Sequence, residues 1–500
     1  MPTTEGKQKW IFDKHTRSFS TIENTVIALV SLLKGSTSLS SRYWIQQSFV
    51  DHKTLHPRNK VDMPLDTINH RIMSAKYYMF GYTVNVGAEK AHKGNERFIL
   101  SPLGSLYLKY SARTDITGLP HKLSSIFLAM LFSIQFPHPA DAQNPAFQLF
   151  PFRLIFKLLR DPRWGGHLYN NEVEYLLVFV KTVNQATYEK LVADILQLRL
   201  LDSSKMADLF EADDATFVKS VYEWEYYTVG ILCEAGIVDY TKGPTICKLY
   251  HKQKPGTVQK SWRSATKGFI SLPNYLEELC DALLASYSPF DIPLSFTDPT
   301  RTVDDVTKQI YSFYPREVLV NVGESTAEMD LADLSKAIND YSTHPSTESA
   351  YQFENVLTQG FNWFVNVKAH HFGGAGHTDI DCVFAQDGKM EKFDIDAKST
   401  ESKLGGINVG RMRQHRKEVG SKYTIIVTPC YSPAAARDIE GEPVVILLAS
   451  TFSEYLMNCA FYGKENIDYT ELNDLIKNNL GTDVSPLLSK LTIEKFGLQA

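Results

Sequence analysis

GHTDIDCVFAQDGKMEKFDIDAK, residues 376–398, divides into two short runs about a central Asp387-Gly388 pair. Asp-Gly between alternating runs marks a β-hairpin, so strands are expected from Asp379 (DIDCVFA) and over Met390–Lys398. Strand side chains alternate between faces. Asp394, Asp396 and Lys398 therefore fall on one side and Phe393, Ile395 and Ala397 on the other, while Asp379 and Asp381 alternate on the partner strand. Crowded carboxylates repel one another and raise one another's pKa unless a cation neutralises them. Oxygen-only ligands of this kind suit Mg²⁺, which keeps most of its waters. A lysine two residues beyond Asp396 stands beside such an ion, where it can orient a water or stabilise a phosphoryl group under attack. Metal plus lysine is a combination for phosphodiester hydrolysis.

Working outward, a helical segment containing Glu354 (YQFENVLTQG) precedes the hairpin, followed by FNWFVNVKAHH and the turn Gly373-Gly374-Ala375-Gly376. His370, His371 and His377 flank that turn. They lack the carboxylate or histidine partners that a zinc site requires at this spacing, and are read as loop residues. After Lys398 come a polar stretch, a basic helix (GRMRQHRKEVG) and an apolar strand, Tyr423–Thr428. These supply the crossover and third strand of an α/β core. Arg411, Arg413 and Arg416 on that helix are expected to face phosphates.

The ordered set Glu354, Asp379, Asp396-Ala397-Lys398 resembles the PD-(D/E)XK nuclease signature, with His377-Thr378 where a proline often precedes the first Asp. Residues 346–460 as a whole are similar to the cleavage domain of type IIS restriction endonucleases of the FokI and AlwI types. The resemblance implies an α/β nuclease domain at the C-terminus, a mixed sheet flanked by helices, preceded by mainly α, winged-helix-like DNA-recognition domains. It also implies Mg²⁺ held by Asp379, Asp396 and the carbonyl of Ala397, with Lys398 serving the attacking water and Glu354 placing a second metal or a water. Asp379 matches the family position better than Asp381, and Asp394 is read as peripheral. Hydrolysis of double-stranded DNA at a fixed distance outside an asymmetric site, leaving 5′-phosphate ends, would follow. One such site cuts one strand, so a transient homodimer or a second nuclease subunit is implied, as is a cognate DNA methyltransferase in the host. Two alternatives stay open: a strand-nicking or modification-dependent nuclease of the same core, and a non-catalytic winged-helix DNA-binding protein.

The front of the chain carries its own signal. Residues 1–125 hold 17 Lys+Arg against 9 Asp+Glu, and the remaining residues 35 against 48, so a polyanion-binding region is expected at the N-terminus. Apolar residues recur at helical spacing over Leu65–Phe80. A β run follows at Tyr82–Val86, then a polar loop, a β run at Arg97–Leu100, and Ser101-Pro102 as a helix start. Helix, strand, basic loop, strand, helix is the order of a winged helix, with Arg71, Lys76, Lys90, Lys93 and Arg97 as expected DNA contacts. Residues 217–250 repeat the order loosely. Proline-rich stretches at Pro137–Pro145 and Ser286–Thr302 read as boundaries. The expected domains are thus 1–136 and 137–302 for recognition, 303–345 as a helical connector, and 346–500 as the endonuclease.

Composition sets the outer limits. In 500 residues, 43% hydrophobic with a net charge of −5, neither disorder nor a coiled coil is indicated. Six scattered cysteines without a CxxC pair argue against a disulfide framework. The longest apolar run, around Ile126–Leu131, is well short of the roughly 18 residues of a membrane span, so no membrane partner is expected. A cytoplasmic bacterial enzyme is the expectation.

Overall fold

The structure is a computed structural model that describes residues 8–11, 16, 18–33, 35–51, 65–85, 96–112, 119–140, 146–251, 261–297, 302–323, 326–344, 347–372, 378–386, 389–461 and 467–496. The chain forms two compact units, Met1–Ser295 and Phe296–Ala500, so the one division falls inside the proline-rich stretch Ser286–Thr302. The boundary expected near residue 137 lies within the first unit. Long-range bonds run across it there, from Ser124 Oγ to the Ala235 carbonyl at 2.8 Å and from Gln135 Nε2 to the Leu294 carbonyl at 2.8 Å. The connector expected at 303–345 belongs to the second unit. Among the described residues no helix is long and apolar enough to cross a membrane.

In the first unit, α1 (Leu39–Asp51) and α2 (Asp66–Tyr77) precede an antiparallel pair, β1 (Gly81–Asn85) and β2 (Glu96–Leu100), and then α3 (Pro102–Ser111). The Ser101 hydroxyl accepts a hydrogen bond from the Gly104 N–H at 2.9 Å, with Pro102 opening the helix, as a capping pair should. Gly104 is required here because a Cβ would lie 2.1 Å from the Phe80 carbonyl oxygen.

Helix, strand, strand, helix thus occur in the expected order, but two expected DNA contacts need correction. α1, which the periodicity of α2 gives no means of foreseeing, covers the polar side of that helix. Arg71 is consequently 6% exposed, with its guanidinium 4.9 Å from the centroid of the Phe49 ring. Lys76 is directed to Thr83 Oγ1 at 3.0 Å. Arg71 is thus buried, and Lys76 is half-buried with its ammonium held inside the unit. Arg97 is half-buried on β2, and Lys90 and Lys93 lie outside the described residues.

The segment 217–250 departs from the expected repeat. Its helix α4 (Asp214–Glu223) is present, but β4 (Asp239–Thr241) and β5 (Thr245–His251) do not pair with each other. Instead β7 (Phe269–Ser271) joins β4 to β3 (His167–Tyr169), and β5 pairs with β6 (Ser261–Thr266). Partners further along the chain displace the nearest one.

The second unit is built on a five-stranded mixed sheet. Its strands are β8 (Val367–His371), β9 (Ile380–Gln386), β10 (Lys389–Ala397), β11 (Thr424–Thr428) and β12 (Val444–Leu448), in the order β12-β11-β10-β9-β8. β8, β9 and β10 are antiparallel neighbours, whereas β11 and β12 run parallel to β10. The parallel connections need crossovers, which α7 (Val409–Val419) and α8 (Pro433–Asp438) supply after α5 (Thr326–Ser342) and α6 (Thr347–Asn362). α9 (Ala449–Phe461) and α10 (Ser485–Phe496) follow β12.

Register assigns the two faces. Phe393, Ile395, Ile425, Val427, Val445 and Leu447 point to one side, against Leu357 and Phe361 of α6 and Phe452 and Leu456 of α9. The other side carries Ile426, Val444 and Ile446 under Met412 of α7. Phe361 stacks on Phe452 with ring centroids 4.5 Å apart, and Phe393 on Tyr469 at 4.9 Å. Asp394 pairs with Thr424 and Asp396 with Ile426, so both carboxylates share the α7 side.

Candidate active site

Because β9 and β10 are antiparallel, the residue just before β9 meets the end of β10. Asp379 occupies the first position and Ala397 the second, and the Ala397 N–H donates to Asp379 Oδ2 at 2.8 Å. The Asp379 carbonyl accepts from the Phe372 N–H at 2.9 Å, tying the same residue to the end of β8. Asp396 is 4% exposed. Lys398, immediately after β10, is anchored through its N–H to the Val427 carbonyl of β11 at 2.8 Å. Its ammonium then lies 2.6 Å from Asp396 Oδ2 and 3.8 Å from Asp379 Oδ2. Three backbone ties on neighbouring strands thus converge two carboxylates and one cation.

The electrostatics follow from this crowding. Burial, and next the negative charge of Asp396, push the Asp379 carboxyl up to about 6, against the opposing pull of Lys398. Asp396 Oδ2 is buried and is held by the Lys398 ammonium as an ion pair. Two buried carboxylates against this single ammonium leave negative charge that is costly to bury unless a further cation offsets it. The pair, with the adjacent backbone carbonyl of Ala397, therefore fits a hard divalent cation that keeps much of its own water. Among the described residues no three Asp, Glu, His or Cys side chains gather into a metal cage.

Glu354 projects from α6 with its Oε2 2.5 Å from His371 Nε2, and its charge also raises Asp379. The ring of Tyr351 meets His371 edge-on at 5.0 Å. His371 is thus no loop residue but the last residue of β8, and it fixes the carboxylate of Glu354. The signal was present in the alternation Val367, Ala369, His371, which puts the three on one strand face. His370 lies on the opposite face, and His377 lies outside the described residues.

Two further residues lie apart from the site. Asp394 is 1% exposed and belongs to a buried network: Thr424 Oγ1 lies 3.1 Å from its Oδ2, and Arg416 Nη1 donates to Thr424 Oγ1 at 3.0 Å. Burial pushes the Asp394 carboxyl up to about 7, with the Thr424 hydroxyl opposing. Arg416, expected to face phosphates, is 6% exposed and committed to this network, with Glu442 3.6 Å away. Arg411 and Arg413 do lie on the exposed side of α7, with Arg413 2.6 Å from Glu442.

Comparison with known proteins places this geometry. Residues 5–287 match the family model "Type II restriction endonuclease HgaI, N-terminal domain". Over 494 residues the chain is 40% identical to "Type II restriction enzyme HgaI" of Avibacterium volantium, covering 98% of each protein. The chain belongs to the HgaI family of type II restriction endonucleases. The expected relationship to restriction endonucleases is borne out at the level of the family, and the reading as a non-catalytic DNA-binding protein falls away. The HgaI N-terminal domain ends eight residues before the division at Ser295, so one family domain spans what was expected to be two recognition domains. Among solved structures, restriction endonuclease FokI aligns over 94% of this chain and 99% of its own, at 11% identity and a TM-score of 0.27. The same enzyme bound to DNA aligns over the same shares at 11% and 0.26.

Proposed function

We propose that this chain is a type IIS endonuclease whose second unit, a PD-(D/E)XK core, hydrolyses phosphodiester bonds of double-stranded DNA at a fixed distance from an asymmetric site read by the first unit. What supports the reading is the convergence of Asp379, Asp396 and Lys398 at the ends of β9 and β10, two carboxylates against one ammonium. Asp379, Asp396 and the Ala397 carbonyl would hold Mg²⁺, which when bound polarises a phosphoryl oxygen and lowers the pKa of water. Lys398 holds the attacking water and offsets negative charge developing on the phosphorus oxygens. Glu354, fixed by His371, orients the water from the α6 side. The products are 5′-phosphate and 3′-hydroxyl ends.

One such site is present among the described residues, so cutting both strands requires transient association of two second units or another nuclease subunit. A DNA methyltransferase protecting the host's own sites is the corresponding partner, and the cytoplasm of a bacterium the corresponding place. The test is a supercoiled plasmid incubated with Mg²⁺ and either the natural chain or Asp396→Ala. Linear product with defined ends from the first alone is expected, and equal products from both would end the assignment.

A further inference from the structure

The ribbon formed by β5 and β6 carries a charge that its surroundings do not. Residues 245–267, TICKLYHKQKPGTVQKSWRSATK, contain six Lys+Arg and no Asp or Glu. Residues 137–244 contain 10 against 15, and residues 268–295 contain none against four. This is a basic island within an acidic stretch. A surplus this local is not needed for packing, because apart from Arg263 the inward face of the ribbon is apolar. Cys247, Leu249 and Ala265 bury themselves against Phe217, Val218 and Val221 of α4.

The opposite face is defined by the register, which sets Lys248 opposite Ser264 and Tyr250 opposite Trp262. Trp262 is 54% exposed and meets the Tyr250 ring edge-on at 5.3 Å, and Lys248 is also exposed. The ribbon is held rigid from beneath. The guanidinium of Arg263 lies 4.2 Å from the centroid of the Tyr222 ring and 5.3 Å from that of Tyr226, and Arg263 Nη1 donates to the Trp262 carbonyl at 2.9 Å. An exposed tryptophan backed by a fixed arginine and flanked by lysine is an expensive surface to leave to solvent.

We propose that the outward face of this ribbon, Lys248, Tyr250, Trp262 and Ser264, is a DNA-docking surface that engages the backbone and groove of duplex DNA. The charge decides the occupant, since a segment with six Lys+Arg and no Asp or Glu in its sequence, and an exposed Lys248 on the outward face, complements a polyphosphate. A two-stranded β-ribbon also has the dimensions to enter the major groove. The inference rests on the reading that the chain acts on double-stranded DNA. It adds a contact made by strands, more than a hundred residues along the chain from the N-terminal basic region.

The test uses the full chain and a duplex fragment that it cuts, held uncut by Ca²⁺ in place of Mg²⁺. Hydroxyl-radical oxidation of Trp262 is measured with and without the duplex, and the salt dependence of binding is measured for Lys248→Ala and Trp262→Ala. Protection of Trp262 is expected, together with a fall of about 1 in the slope of log affinity against log salt for Lys248→Ala. Trp262→Ala should bind at least about fivefold more weakly. Unaltered oxidation of Trp262 in the complex, or an unaltered slope for Lys248→Ala, overturns the proposal even if Trp262→Ala proves unstable. Failure of the natural chain to bind or cut any duplex would instead overturn the reading on which it rests.

Discussion

The carboxylate of Asp379 is bound to the backbone of Ala397, whose N–H donates to Asp379 Oδ2 at 2.8 Å. One side chain therefore has two duties, joining the head of β9 to the end of β10 and presenting its charge to the site. Substitutions separate them. Asp379→Asn keeps an acceptor for the Ala397 N–H, removes a carboxylate whose ionisation burial and Asp396 oppose, and should melt no lower than the natural protein. Its cleavage rate should nevertheless fall by at least about 100-fold, because the anionic oxygen is gone. Asp379→Ala should lose activity equally and about 1 kcal/mol of stability as well. Thermal melting beside a plasmid-cleavage time course measures both, and cleavage by Asp379→Asn near the natural rate would contradict the assignment.

Lys398 balances two carboxylates from 2.6 and 3.8 Å. Removing it leaves their repulsion uncompensated and deprives the reacting phosphate of a cation. Lys398→Ala should therefore cut roughly 100- to 10,000-fold more slowly while binding DNA as well as before. Lys398→Arg supplies the charge but not the compact ammonium, and should recover stability without recovering rate. Single-turnover cleavage with a parallel binding assay decides between a chemical role and a merely structural one.

Asp379 also sets a pH limit. Its carboxyl is pushed up to about 6 by burial and then by the Asp396 charge, so it is protonated below that pH and ionised above it. A cation binds the ionised form. The Mg²⁺ concentration for half-maximal cleavage should therefore rise about tenfold for each pH unit below 6 and level off above it. EDTA should abolish cleavage at every pH. A metal requirement independent of pH between 5 and 8 would show that Asp379 is not a ligand.

How far the sequence could be read depended on how local each relationship is. Alternation either side of Asp387-Gly388 placed β9 and β10 within a residue or two, since a hairpin needs only its neighbours, and Ser101-Pro102 marked the start of α3 for the same reason. The pairings of β4 and β5 were beyond such a reading, because Phe269–Ser271 and Ser261–Thr266 outcompete the adjacent strand from further along the chain. Arg71 and Arg416 were misjudged alike. A charged residue off the apolar face of a helix reads as exposed, yet α1 covers the first and the Asp394 network takes in the second. His371 was visible as a residue, but its partner Glu354 lies on another element.

Burial of Arg71 has a measurable consequence. Its guanidinium lies against the Phe49 ring with 6% of the residue exposed. Arg71→Ala should thus cost about 1–3 kcal/mol through lost packing and lost polar contacts. The salt slope of DNA binding should not move, because no phosphate contact is removed. Melting and salt-titrated binding of the same variant test this, and a slope reduced by about 1 at unchanged melting temperature would restore Arg71 to the DNA surface.

Asp394 makes the complementary case, a buried acid whose ionisation is the burden. Its carboxyl is ordinarily half-ionised near pH 3.8, and burial raises it to about 7 in the folded chain. Below pH 4 it is neutral whether the chain is folded or not, and its contribution to stability is fully present. Between pH 4 and 7 the unfolded chain releases the proton while the folded one keeps it, so stability falls as pH rises, and the loss is complete once pH passes 7. Asp394→Asn does not titrate and escapes this loss, while its amide can still meet Thr424. The stability of the variant relative to the natural chain should therefore climb across pH 4–7, by up to about 4 kcal/mol, and remain level above. Urea unfolding of both proteins across that range measures it. A difference that stays flat would mean that Arg416 and Thr424 hold Asp394 ionised throughout, and the buried network would then be an ion pair rather than a neutral hydrogen-bonded cluster.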